Sequence, residues 1–152
     1  AIPSGPLILA EGSVRANFDA LNTYEVTRKG SKVAVLALGD FYDLGEKTVE
    51  ALSSTLGSEA TLVKPYFASG VDQNLLDNLV KDHDVIVTIE DGIIEGGWGQ
   101  NIASYLGISP ARVLNYGVKK AFYDRVNIAD LMRESHLDPE LIAADVKQVL
   151  GL

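Results

Sequence analysis

The chain has 152 residues, no cysteine, and 13 Lys and Arg against 21 Asp and Glu, a formal net charge of −8. That balance argues against nucleic acid and against an anionic membrane surface, since both need a positive footprint, and the missing cysteines exclude disulfides, zinc–thiolate sites and thiol nucleophiles. A hydrophobic fraction of 47% at this length suits one folded domain with a sizeable core, no apolar stretch approaches a membrane span, and the absence of cysteine fits the cytoplasm.

The first 22 residues read as an irregular entry. Pro3, Gly5, Pro6 and Gly12 break any long periodicity, leaving one short extended piece at 7–10. The apolar residues near the start lack a basic region before them, so no signal peptide is expected. A single domain then covers 23–152. Residues 24–28 alternate apolar and polar, as an edge strand with one wet face does. A tight turn at Lys29-Gly30-Ser31 is expected to fold them as a hairpin onto 33–38. That second run is apolar throughout, so both its faces should be covered.

Helix and strand patterns then alternate. Leu44, Thr48, Val49, Leu52 and Leu56 share one face of a helix over 42–56, with Asp40 or Asp43 placed to cap it. A strand at 60–68 is cut short by Pro65. Asp72 caps a helix carrying Leu75, Leu76, Leu79 and Val80. Residues 85–89 form a buried strand, 98–106 a helix and 112–116 a further strand. Asn127 and Asp138 read as N-caps, the second followed by Pro139 at the first helical position. Ile128, Leu131 and Met132 should face one way on the first of these helices. Leu141, Ile142, Val146, Val149 and Leu150 should do so on the last. The alternation predicts an α/β fold: a three-layer αβα, doubly wound, mostly parallel sheet of about five strands with an antiparallel edge strand.

The stretch EDGIIEGGWGQ, from Glu90 to Gln100, holds the most suggestive residues. Gly96, Gly97 and Gly99 fall where a buried strand gives way to a helix, at the carboxyl end of the sheet where ligands bind in such folds. The order G-G-x-G is neither a dinucleotide fingerprint nor a P-loop. Glu90, Asp91 and Glu95 would also repel a phosphate there. A tight turn that lets backbones approach closely is the simpler reading. Asp40, Glu90, Asp91 and Lys119 could instead form the rim of a receiver- or flavodoxin-like binding module, although a receiver needs an acidic pair where this chain has Gly39-Asp40. His83 and His136 lack metal-ligand neighbours at helical spacing and read as structural. No serine sits in a nucleophile elbow. The catalytic set is incomplete, which points to a site shared with another domain or chain. A third reading is a structural oligomerisation domain, with Trp98 and Tyr105 exposed at a subunit contact.

The motif order adds to this reading. EVTRKGSKVAVLALGD, then VKPYFASGVD leading into a helix, then HDVIVTIED leading into GGWG, then VLNYGV, resembles the C-terminal domain of the transketolase family. The branch it looks most like is 1-deoxy-D-xylulose-5-phosphate synthase, over residues 24 to 150. The resemblance implies a complete enzyme that uses thiamine diphosphate and Mg²⁺ to condense pyruvate with glyceraldehyde 3-phosphate. It implies that the cofactor lies between two upstream domains, of the same or a companion chain. The C-terminal domain then packs on its neighbours, helps organise a homodimer, binds no cofactor and has no turnover alone. Glu90, Asp91, Gly96, Gly97, Trp98 and Gly99 are the loop expected at that interdomain or dimer contact. The chain departs from the branch after its last strand. GVKKAFYDRVN keeps Gly117 and Phe122 but lacks the Pro, the Asp before the Phe and the His-Gly. The KPYFASGVD stretch also carries extra residues before its Asp. Another ketose or aldehyde substrate, another transketolase, or a 2-oxoacid dehydrogenase therefore stays open.

Overall fold

A computed structural model of the chain describes residues 22–152; the extended piece expected at 7–10 lies outside them. Five strands and five helices follow in the order β1 (Glu25–Arg28), β2 (Lys32–Ala37), α1 (Tyr42–Leu56), β3 (Thr61–Lys64), α2 (Gln73–Asp82), β4 (His83–Ile93), α3 (Trp98–Tyr105), β5 (Arg112–Val118), α4 (Ile128–Glu134) and α5 (Pro139–Leu150). They form one sheet in the order β1-β3-β2-β4-β5. All neighbours are parallel except β1 with β3. This is the expected three-layer α/β architecture with one antiparallel edge.

The hairpin is corrected. β1 does not pair with β2. It pairs with β3, Glu25 opposite Lys64 and Val26 opposite Val63. Gly30 is not the apex of a two-strand ribbon. A Cβ on it would lie 2.1 Å from the Glu59 carbonyl oxygen, and its N–H donates to Thr61 Oγ1 at 2.9 Å. The glycine is needed because the connection between β1 and β2 presses against the chain entering β3.

Period-two alternation in β2 builds two cores. Val33, Val35 and Ala37 pack with Leu44, Val49 and Leu52 of α1 and Ile142 and Val146 of α5. Ala34 and Leu36 pack with Leu76 and Leu79 of α2 and with Trp98 and Ile102 of α3. The continuous apolar run of β2 follows from this double cover.

Three caps stand as expected. Asp72 accepts the N–H of Leu75 at 3.0 Å, Asn127 that of Ala129 at 2.9 Å, and Asp138 those of Glu140 and Leu141. The α1 cap is corrected: a 3-10 turn at Gly39–Phe41 leads in, Phe41 occupies the cap position, and no side chain bonds there. Asp43 lies within the helix and pairs with Lys47. β4 runs four residues past Ile89, because Ile93 pairs again with Val118 after a register shift. Ile128 does not join its helix's inward face; it is 72% exposed.

Candidate functional site

The chain order reverses at one place in the sheet. β2 leads outward to β3, whereas β4, on the other side of β2, leads outward to β5. A crevice is expected beyond the carboxyl ends of β2 and β4. Leu38–Phe41 follows β2 here, with the Leu38 N–H bonded to the Ile89 carbonyl at 2.9 Å. Glu90 to Gly99 follows on the β4 side.

Glu90 decides what this place can do. It is 6% exposed. Its Oε2 accepts the N–H of Trp98 at 2.9 Å and its Oε1 accepts that of Gly99 at 2.9 Å. Gly97 occupies the cap position of α3 and has no side chain to cap with, so a carboxylate seven residues earlier does so from the strand. The first amides of a helix carry orphan donors and a partial positive charge, and a buried carboxylate needs such partners. Each requirement meets the other inside the domain. A phosphate cradle, which the acidic loop already disfavours, is not formed here: those two donors are bonded to Glu90.

The glycines follow from that contact. A Cβ on Gly97 would lie 2.5 Å from the Ile93 carbonyl oxygen and 2.6 Å from Glu90 Oε1. On Gly99 it would lie 2.4 Å from Thr88 Oγ1, which donates to Asn115 Oδ1 at 2.7 Å. Gly96 has open space around it and a φ of +77°, the left-handed turn that glycine adopts freely. The tight-turn reading holds for all three.

Trp98 is 3% exposed, so its expected exposure at a subunit contact is corrected; Tyr105 is half-buried and donates its hydroxyl to Asp77. The Trp98 indole N–H donates to Tyr24 OH at 3.0 Å, and the two rings meet edge-on with centroids 6.1 Å apart. Burial holds the Tyr24 hydroxyl above the usual tyrosine range. Of the six loop residues singled out, Glu90, Trp98 and Gly99 are buried, Gly97 is half-buried, and Asp91 and Gly96 are exposed. Asp40 is exposed in its own turn while the Glu90 carboxylate faces α3, so the acidic rim of the receiver reading is not assembled through Glu90.

The histidines hold the fold. His83 Nδ1 lies 2.8 Å from the Leu79 carbonyl and must donate to it, leaving Nε2 to accept from Thr61 Oγ1 at 2.7 Å. His136 Nδ1 lies 2.8 Å from Asp145 Oδ2, which also accepts the Tyr116 hydroxyl at 3.0 Å. Among the described residues no three His, Cys, Asp or Glu side chains are grouped to hold a metal ion. With the α3 amides bonded to Glu90 as well, these residues do not fit a diphosphate with its metal. Among them, no helix is long and apolar enough to cross a membrane.

Comparison with known proteins identifies the family and the fold. The family described as "Transketolase, C-terminal domain" matches residues 22–142. A 1-deoxy-D-xylulose-5-phosphate synthase of Pseudoalteromonas translucida is 31% identical over 151 residues, 98% of this chain and 23% of that protein. A probable chloroplastic 1-deoxy-D-xylulose-5-phosphate synthase 2 of Oryza sativa is 32% identical over 127 residues, 80% of this chain and 18% of that protein. The chain thus spans about a fifth of the curated relatives it matches. Among solved structures, a split-gene transketolase, described as an inactive beta4 tetramer, superposes with a TM-score of 0.72 at 25% identity, over 88% of this chain and 44% of that one. A Pichia stipitis transketolase shares the fold, with a TM-score of 0.54 at 15% identity over 83% of this chain and 17% of that one. The chain belongs to the transketolase C-terminal domain family.

Proposed function

We propose that residues 23–152 are the packing and dimer-organising C-terminal domain of a cytoplasmic, thiamine-diphosphate- and Mg²⁺-dependent synthase. In the complete enzyme it serves the condensation of pyruvate with glyceraldehyde 3-phosphate to 1-deoxy-D-xylulose 5-phosphate. The observation that carries this reading is the match of 98% of this chain to 23% of a 1-deoxy-D-xylulose-5-phosphate synthase. The self-contained pairing of Glu90 with α3 supports it. That pairing occupies the two α3 amides that an anionic ligand would otherwise use, which suits a domain that packs rather than one that binds substrate. No step of the reaction runs through these residues. The exposed members of the loop, Asp91 and Gly96, are its candidates for contact with a neighbouring domain.

The test is reconstitution. Given thiamine diphosphate, Mg²⁺, pyruvate and glyceraldehyde 3-phosphate, this chain alone releases no carbon dioxide. Joined to the polypeptide that carries the two thiamine-binding domains, it supports carbon dioxide release and formation of the ketose phosphate. Turnover by this chain alone overturns the reading. A second reading, a related enzyme acting on another ketose or aldehyde, is favoured by the departure of Lys119 to Asn127 from the synthase pattern. It predicts a reconstituted enzyme that is active only on a different pair.

A further inference from the structure

We infer that Tyr24 is a clip that joins the connector between β3 and α2 to the Glu90 turn, so that these two segments of the carboxyl rim open and close together.

The two segments lie on either side of β2. The connector, residues 65–72, leaves β3, and the Glu90 turn belongs to β4; the sheet order places β2 between those strands. Tyr24, just ahead of β1, bridges them with three hydrogen bonds. Its backbone N–H donates to Asp72 Oδ2 at 2.9 Å. Its hydroxyl donates to the Gly70 carbonyl at 3.3 Å. The same hydroxyl accepts the indole N–H of Trp98 at 3.0 Å, since a phenol oxygen donates and accepts at once. Trp98 carries the connection onward, because its own backbone N–H is bonded to Glu90 Oε2.

Asp72 divides its carboxylate between two tasks. Oδ1 accepts the N–H of Leu75 and so caps α2, a task for which a serine suffices. Oδ2 has a separate use: it ties the backbone of Tyr24 to the end of the connector. The other grip lies near the connector's tip. Ala68, Ser69 and Gly70 are exposed there, and a segment that buries little of itself opens most readily. Gly70 has a φ of +77°, and a Cβ on it would lie 2.8 Å from Asn22 Nδ2, so the tip is also pressed close to the residues just ahead of Tyr24.

Each bond in this series positions a group for the next, so loss of one weakens the others. Among the described residues no hydrogen bond runs directly from the Asp72 side chain to Trp98 or Glu90; Tyr24 stands between them. A partner that displaces the exposed tip of the connector is thereby felt at Glu90, and one that displaces the Glu90 turn is felt at the connector.

The experiment measures acrylamide quenching of Trp98, the sole tryptophan, in the folded full chain. Asp72→Ser keeps an oxygen for the cap and removes the one that holds Tyr24. Trp98 quenching should rise at least about twofold while circular dichroism stays that of the parent. Asp72→Asn is the second variant: it keeps a cap oxygen at unchanged size but turns an NH₂ toward the Tyr24 N–H, and it should raise quenching in the same way. Asp138→Ser, the same replacement at the cap of α5, should leave Trp98 as shielded as in the parent. With Tyr24→Phe present, where the indole has already lost its acceptor, Asp72→Ser should add nothing. Quenching at the parent's level in both Asp72 variants overturns the coupling. A rise that is equally large on top of Tyr24→Phe overturns Tyr24 as the clip. A rise with Asp138→Ser as well assigns the effect to general loosening of the fold and overturns the inference too.

Discussion

Glu90 and Trp98 are joined by a 2.9 Å hydrogen bond from the backbone N–H of Trp98 to Oε2, while Oε1 takes the next N–H, that of Gly99. Both carboxylate oxygens are therefore used. A glutamine has one acceptor oxygen and turns an NH₂ toward the other N–H, so Glu90→Gln should cost about 1–3 kcal/mol. Glu90→Ala leaves both amides unpaired and should cost about 2–4 kcal/mol. Urea unfolding should show both midpoints falling with an unchanged slope. A glutamine variant as stable as the parent would mean that water can satisfy these amides.

The three glycines of the loop should separate by mechanism. Gly99→Ala and Gly97→Ala drive a methyl into contacts of 2.4 Å and 2.5 Å, and overpacking of this kind costs about 1–3 kcal/mol. Gly96→Ala meets open space and bears only its φ of +77°, about 1 kcal/mol. Denaturant midpoints should rank Gly96→Ala above the other two. The opposite rank would place the strain in the backbone instead of the packing.

Tyr24 fastens the edge of the sheet to the same turn. Tyr24→Phe keeps the edge-on ring contact but removes the acceptor of the Trp98 indole N–H, a loss of about 1–2 kcal/mol. Trp98 is the sole tryptophan, so its fluorescence reads this site alone. The variant should shift the folded-state emission as well as the unfolding midpoint. An unchanged emission would show that the indole keeps a partner.

These contacts mark the limit of what the sequence discloses. Residues 33–37 announce a doubly covered strand because each one is apolar, and every second one belongs to a different core. Asp72, Asn127 and Asp138 announce helix starts because a cap bonds only two or three residues ahead. Non-local partners leave no such trace. The alternation of β1 reveals a wet face but not that β3, 37 residues on at the Val26–Val63 pair, is its neighbour. Glu90 reaches α3 across a loop, so its role is invisible to local capping rules. One signal was available: α3 begins at a glycine with no Ser, Thr, Asp or Asn to cap it, and a buried acid nearby is the natural substitute.

Tyr116 sets the alkaline limit of stability. Burial, the Asp145 charge and the hydrogen bond to that carboxylate all hold its hydroxyl well above the usual tyrosine range. An unfolded tyrosine ionises near about pH 10. In the folded chain Tyr116 still holds its proton there, so raising the pH draws the proton from the unfolded state first and favours unfolding. The stability that Tyr116 supports is fully present below the unfolded value and is lost as pH rises from there toward the folded one. Tyr24 adds to the same trend through its own burial. Chemical unfolding between pH 8 and about pH 11 should therefore show a falling midpoint for the parent. Tyr116→Phe, less stable at neutral pH for want of its bond to Asp145, should decline less steeply over that window. Parallel slopes in the two proteins would assign the alkaline loss to groups other than Tyr116.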